Sequence, residues 1–319
     1  MTGHRDREPD LAAIRLARER IAPHARRTPV MTSSAVDAAV GAAVFFKCEN
    51  LQKAGAFKFR GALNAVFSLE EAEAARGVAT HSSGNHAQAL ALAARLRGIP
   101  ARVVMPRTSA APKRAAAAGY GAEIIECEPT LAARESTLAA VLERTGAVAI
   151  HPYDDHRIIA GQATAAAELL EDLPDLDAVL VPVGGGGLLA GTALAAHHLS
   201  SGTRVIAAEP AGADDAFRSL AAGRIIPSES PRTIADGLLT SLGRRNFPVI
   251  RRHVERIVTV SEEGIVRAMR LIWERMKLVV EPSAAVPLAA LLEGGIDLSG
   301  ARVGVILSGG NVDLDRLPW

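Results

Sequence analysis

Residues 181–191 read VPVGGGGLLAG, and this stretch decides how the chain folds. It enters as an apolar strand over 178–183, crosses Gly184, Gly185, Gly186 and Gly187, and leaves as a helix. A strand that turns straight into a helix is half of a βαβ unit, which makes strands parallel and covers a sheet on both faces. Four consecutive glycines leave backbone N–H groups unobstructed at a helix N-terminus, where the dipole favours an anion. A tight βα turn alone would seldom need all four. A bound phosphate is the expected guest.

The same alternation extends in both directions. Strands are expected at 43–47, 78–81, 102–105, 123–126, 147–150, 204–208, 256–260 and 303–307. Amphipathic or Ala-rich helices are expected at 10–21, from Lys58 to about residue 67, after Asn85 to residue 97, at 112–119, to residue 144 after a Thr130 cap, and at 159–171. The strands form two groups, four of them close-spaced between 78 and 150 and the others from 178 onward. The fold class is therefore α/β with open, mostly parallel twisted sheets. The grouping puts residues 77–151 in one unit and residues 1–76 with 152–319 in another.

The 319 residues are 49% hydrophobic and 22% charged, enough to bury a sizeable core and against disorder. The formal net charge is +1, with no basic stripe, so neither nucleic acid nor an anionic membrane is an expected partner. Cys48 and Cys127 lie far apart in apolar runs and read as two buried thiols. The polar start, MTGHRDREPD, has no signal-peptide core, and no apolar run reaches the roughly 20 residues a membrane span needs. A cytoplasmic location is the expectation.

Three further stretches carry chemistry. In LQKAGAFKFRGALNA, residues 51–65, Lys58 stands between Phe57 and Phe59 in a chain only 3% aromatic. Desolvation by rings favours the neutral, nucleophilic amine, which forms a Schiff base with an aldehyde; a snorkelling surface lysine is the plain alternative. HSSGNHAQ, residues 81–88, follows a strand. Ser82, Ser83 and the amides around Gly84 either cap the next helix or bind a carboxylate, while Asn85 and His86 add more donors and acceptors than a cap requires. LSGGNVD, residues 307–313, puts Ser308 at the carboxyl end of a strand, where ligands of open α/β sheets bind and where a hydroxyl can donate to a ring nitrogen.

Gly185, Gly187 and Ala190 also fit the spaced G-x-G-x-x-A dinucleotide fingerprint, with Glu209 about where a ribose-binding acid would stand. This makes an NAD-dependent oxidoreductase the rival reading. A non-catalytic ligand-binding module is a third. A nicotinamide enzyme, however, has no use for a buried amine beside the anion site. Pyridoxal 5'-phosphate, an aldehyde with a ring and a phosphate, uses every element.

In the order AFKFRGA, SSGNHAQ, GGGGLLAG, SGGN, these stretches resemble the fold-type II pyridoxal-phosphate enzymes of the serine/threonine dehydratase and serine racemase family, from Arg27 to Asp313. The resemblance implies a large cofactor domain with a smaller inserted α/β domain. Lys58 would carry the cofactor and Phe57 would pack near its ring. Asn85 would bond the ring oxygen, Ser308 the pyridine nitrogen, and Gly184–Gly187 the phosphate. Ser82, Ser83 and His86 would surround the substrate carboxylate, with Ser83 on the face opposite Lys58. TIADG, residues 233–237, and Glu281-Pro282 also match segments near the family's active site.

The nearest sub-pattern looks like serine racemase and its relatives with 3-hydroxyaspartate ammonia-lyase activity. EPAGADD, residues 209–215, matches their metal segment and implies Glu209, the Ala213 carbonyl and Asp215 as ligands. Hard oxygen donors suit Mg²⁺ or Ca²⁺, with Mn²⁺ also admissible; a solvated acidic loop is the alternative. The resemblance further implies β-elimination from serine, threonine or 3-hydroxyaspartate with racemisation beside it, a catabolic role and a homodimer. In the 130–144 helix, Leu131, Leu138, Val141 and Leu142 share one face with Arg134, which is thereby expected to face inward; the resemblance implies that it meets a second substrate carboxylate, the alternative being a packed stem whose head reaches water.

Overall fold

The computed structural model describes residues 7–109 and 111–319. Ten strands alternate with helices: β1 (Val30–Met31), β2 (Ala43–Cys48), β3 (Val78–His81), β4 (Ala101–Pro106), β5 (Glu123–Cys127), β6 (Val148–Ala149), β7 (Ala178–Pro182), β8 (Arg204–Pro210), β9 (Arg256–Val260) and β10 (Arg302–Leu307). Near-continuous apolar runs such as AVLVP and RVGVIL are what strands covered on both faces require, and β7 is buried at every residue.

Two sheets result. The larger has the order β1-β2-β10-β7-β8-β9, and the smaller β5-β4-β3-β6. All pairings are parallel except that of β1 with β2. The chain leaves the larger sheet after β2, builds the whole smaller sheet, and returns at β7. The two expected strand groups are thus two sheets, with β2 joining the later group beside β10.

Most expected elements lie within two residues of those observed. The helix after β6 starts earlier, at His156, where Asp155 caps it by accepting from Arg157 N. No element was expected at β1, at Ser34–Val40, or between β9 and β10, where helices Glu262–Leu271 and Pro282–Leu292 stand. The inward face of helix Leu131–Thr145 also needs correction. Val141 is buried, but Leu131, in the first turn, is 57% exposed, so the apolar face does not pack inward along its whole length. Both cysteines are buried and free. No helix among the described residues is long and apolar enough to cross a membrane.

Small residues let three helices cross at backbone contact. A Cβ on Gly161 would lie 2.6 Å from Gly61 Cα, and one on Gly191 2.7 Å from Ala163 N. Helix Lys58–Phe67 is thereby pressed onto His156–Asp172, and that helix onto Gly187–Leu199. This packing fixes the lysine relative to the glycine turn.

Candidate active site

The carboxyl ends of β3, β6, β7 and β10 open on one crevice, as open parallel sheets dictate. Lys58 is the first residue of its helix. Its Nζ donates to the Pro152 carbonyl at 2.9 Å and lies 5.1 Å from the Phe57 ring centroid and 5.9 Å from that of Tyr153. Desolvation pulls its pKa down to about 8 against the opposing charge of Glu281. The second ring is therefore Tyr153 and not Phe59. Phe59 turns away into the core with Leu63 and Leu90, because adjacent residues of a helix point about 100° apart.

Asn85, Glu281 and Asn311 form a polar chain beside this lysine. Asn85 Nδ2 donates to both Glu281 oxygens at 2.8 and 3.1 Å, and Asn85 Oδ1 accepts from Asn311 Nδ2 at 3.0 Å. Burial pushes the Glu281 carboxyl up to about 7, with the Asn85 bond opposing. Ser308 is buried at the end of β10, and its carbonyl accepts from Phe57 N at 3.0 Å. That bond and the Ala56–Gly309 bridge tie the lysine loop to the serine turn.

The glycine turn follows β7. Gly186 caps helix Gly187–Leu199 with φ +88°, a left-handed conformation that only glycine adopts without strain. At Gly185 a Cβ would strike the Tyr153 ring at 2.4 Å. Amides at the start of a 13-residue helix, with no side chain in the way, form a cradle that fits a phosphate.

Neither serine caps the helix after β3: the N-cap is Gly84, without a side-chain bond, and Ser82 Oγ only accepts from Gly84 N at 3.4 Å. Ser82 and Ser83 are part-buried at the crevice. His86 is 2% exposed; its Nε2 meets the Ile150 carbonyl at 3.3 Å while Nδ1 has no partner among the described residues. A carbonyl accepts only, so the Nε2–H tautomer is assigned. Burial, then the nearby Lys58, pushes its pKa down to about 3 and keeps the ring neutral.

His151 and His81, to which the sequence assigned no role, and Arg134 complete the small-sheet side. His151 Nδ1 accepts from Tyr153 N and Asp154 N at 3.3 and 2.9 Å, and its ring stands edge-on to His81 (6.2 Å) and Tyr153 (4.6 Å). Burial pushes the His151 pKa down to about 4. Arg134 is part-buried and close enough to depress the His81 pKa, after burial itself. Its buried Nε has no partner among the described residues.

Glu209 and Asp215 gather at the end of β8, one strand across from the glycine turn, and each is 1% exposed. Glu209 accepts from Phe217 N and Ala216 N at 2.5 and 3.3 Å. Burial first, then repulsion from Asp215, pushes Glu209 up to about 8; burial also takes Asp215 to about 6. Asp215 Oδ2 is buried with no partner among the described residues, and Ala213 is buried between the two carboxylates in sequence. These buried oxygens exclude the solvated acidic loop and fit a hard divalent cation.

The sequence singled out Lys58, Phe57, Ser82, Ser83, Asn85, His86, Gly184–Gly187 and Ser308, and the structure gathers these at the crevice. It missed Tyr153, His151 and the Glu281–Asn85 bond. A polar, turn-rich HPYDD directly after a strand was the available signal for the first two.

The chain matches the family described as pyridoxal-phosphate dependent enzyme over residues 21–309. It is 55% identical to the beta-hydroxyaspartate dehydratase of Paracoccus denitrificans over 95% of this chain and 96% of that protein. It is 50% identical to the serine racemase of Arabidopsis thaliana over 97% of this chain and 95% of that protein. The structure of maize serine racemase aligns with a TM-score of 0.95 at 48% identity, covering 97% of this chain and 95% of that one. The NAD reading is thereby overturned, and the geometry gives the reason: Glu209 is turned inward onto two amides of its own chain, not out to a ribose. A desolvated lysine amine, a helix cradle whose glycines carry no side chains and a family match across most of the sequence agree, and the chain belongs to the pyridoxal-phosphate dependent enzymes.

Proposed function

We propose that this enzyme removes water from a 3-hydroxy amino acid, the released enamine then hydrolysing with one water to a 2-oxo acid and ammonia, and that 3-hydroxyaspartate is used at least as well as serine or threonine. Pyridoxal phosphate, when bound, supplies the electron sink that makes a Cα proton removable. Lys58 is the residue that holds it, with Gly184–Gly187 around the phosphate, Asn85 and Ser308 on the ring, and Phe57 alongside. Lys58 Nζ, with its pKa near 8, takes the Cα proton as general base. Ser83, across the crevice, returns a proton to the other face, and this gives a racemase side activity. Ser82 and His86 orient the substrate α-carboxylate; Ser82 donates its hydroxyl, and the neutral His86, whose one N–H is held by the Ile150 carbonyl, lines the site without adding charge.

The observation that supports the dicarboxylic substrate is Arg134. A part-buried guanidinium whose Nε lacks a partner is costly unless an anion completes it. Its charge is felt at His81, whose ring faces that of His151, which in turn feels Lys58. A substrate β-carboxylate is such an anion. Arg134→Ala is expected to lower kcat/KM for 3-hydroxyaspartate by about tenfold to a hundredfold, the worth of a charged hydrogen bond, while sparing serine. Equal losses for both substrates would defeat the dicarboxylate reading.

The same proposal places Mg²⁺, Ca²⁺ or Mn²⁺ on Glu209, the Ala213 carbonyl and Asp215, as a structural ion outside the chemistry. It treats residues 77–151 as the substrate-side domain and the remainder as the cofactor domain, supported by the two sheets. It also includes a homodimer. Exposed Leu51 and Val279, neighbours through the Asn50 Nδ2 bond to the Val279 carbonyl, offer apolar surface for it, and light scattering on the purified protein tests it.

A further inference from the structure

We propose that the cavity walled by helix Glu262–Leu271 is a second ligand site, which takes an apolar α-amino acid as a zwitterion and passes its presence to the crevice through residues 234–237.

The cavity has a volume of about 950 Å³, and none of its lining residues belongs to the crevice. That size suits a small-molecule pocket. One wall is apolar, formed by Ile234, Leu271 and Leu292, which also pack on the core beneath. The other wall is charged and comes from the helix itself, with Glu262 near its N-terminus and Arg267 and Arg270 further along. At 1.5 Å of rise per residue, Glu262 and Arg267 stand about 7.5 Å apart along the axis, within reach of two long side chains leaning towards each other.

An acid at the start of a helix and bases towards its end suit the helix dipole by themselves. The dipole does not account for the second oxygen of Glu262. Its Oε2 accepts from Ile234 N at 2.8 Å, whereas Oε1 is buried with no partner among the described residues. A carboxylate oxygen left in that state is costly, and an ammonium supplies the donor it lacks. Arg267 is exposed and has no ion-pair partner among the described residues. Arg270 lies 5.6 Å from the Trp319 ring centroid and 3.3 Å from Glu274. The two guanidinium forks offer a place for a carboxylate. A lone anion would leave Glu262 unmet, and a lone cation would be repelled by the arginines. A molecule with an ammonium, a carboxylate and an apolar body meets all three surfaces.

Glu262 is already bonded to the segment that reaches the crevice. The Ile234 carbonyl accepts from Asp236 N at 2.9 Å, and Asp236 is ion-paired with Lys113 of helix Ala111–Gly119 on the smaller sheet. Gly237 N donates to Ser283 Oγ at 3.1 Å, two residues beyond Glu281. An ammonium that draws on the Glu262 carboxylate competes with its bond to Ile234 N. The ligand thereby bears on an ion pair that joins the two sheets' units, and by linkage the substrate bears on the ligand.

The test uses holoenzyme reduced with borohydride, in which Lys58 no longer exchanges with an incoming amine, and titration calorimetry with L-leucine as the probe. Leucine is expected to bind at millimolar concentration or below. Leucinamide and 4-methylpentanoate, each lacking one of the two charges, should bind about tenfold more weakly or worse, as should leucine to Glu262→Gln and to Arg267→Glu. In the unreduced enzyme, leucine should change kcat/KM for the hydroxy amino acid by about twofold or more, and Arg267→Glu should lose that response while keeping its activity without leucine. No binding to the reduced wild-type enzyme, or equal binding to the folded variants, overturns the site. Binding that leaves kcat/KM unmoved overturns the coupling. If Glu262→Gln does not fold, Arg267→Glu, at an exposed position, carries the test alone. The calorimetric arm stands whichever hydroxy amino acid the crevice consumes, so its failure is distinguishable from a failure of the proposed reaction.

Discussion

Lys58 owes its chemistry to the end of its side chain, where two rings and a carbonyl replace water. The neutral amine is the nucleophile, and its fraction grows with pH until the pKa is passed. Capture of pyridoxal phosphate by the cofactor-free protein should accelerate about tenfold per pH unit below about 8 and level off above it. Rapid-mixing absorbance measures this, and Lys58→Ala should abolish it. Glu281 makes an opposite kind of statement. Its carboxyl is raised from 4.5 to about 7, so the folded state binds a proton that the unfolded state has released. The stability it contributes is complete below about 4.5 and is lost as pH rises through about 7. Thermal melts across that window should show the decline, and Glu281→Gln should flatten it.

At the scale of elements, the lysine helix is held by contacts that tolerate little change. Gly61 and Gly161 meet so closely that a Cβ on Gly161 would overlap backbone and one on Gly61 the Gln162 side chain. Gly161→Val should cost about 3 kcal/mol or more by overpacking, read from urea unfolding. The same helix carries a buried ionic quartet: Arg60 bonds Glu49 at 2.7 Å and Glu168 at 2.8 Å, and Lys47 bonds Glu168 at 2.6 Å. Glu168→Ala would strip Lys47 of its carboxylate inside the protein and leave Arg60 to Glu49 alone, and should destabilise it by about 3–5 kcal/mol. Strand and helix positions were legible because parallel strands buried on both faces are written as apolar runs. The Leu131 face was not legible, since a helix period says which residues align and not which of them find something to pack against. Phe59 failed likewise: neighbours in sequence diverge in direction along a helix.

At the scale of the whole molecule, the two sheets divide the work, one bringing the serine turn and Arg134, the other the lysine, glycine turn and Ser308. A divalent cation on the paired carboxylates at the end of β8, as proposed, would act on stability and not on the chemistry. Adding millimolar Mg²⁺ to chelator-treated protein should raise Tm by a few degrees, roughly what 1–2 kcal/mol of linkage gives, and Asp215→Ala should remove that response. A Tm indifferent to divalent cations would defeat the metal assignment.

The sequence by itself determined the α/β class, the two strand groups and the four motifs of the crevice, because each of these is local: a run of apolar residues, a row of glycines, a serine after a strand. Only the tertiary structure decided what surrounds those motifs. Tyr153 against Gly185, Glu281 on Asn85 and the Arg134–His81–His151 line join residues up to 196 positions apart. No periodicity or spacing encodes such pairs, because they arise where separate strands end side by side.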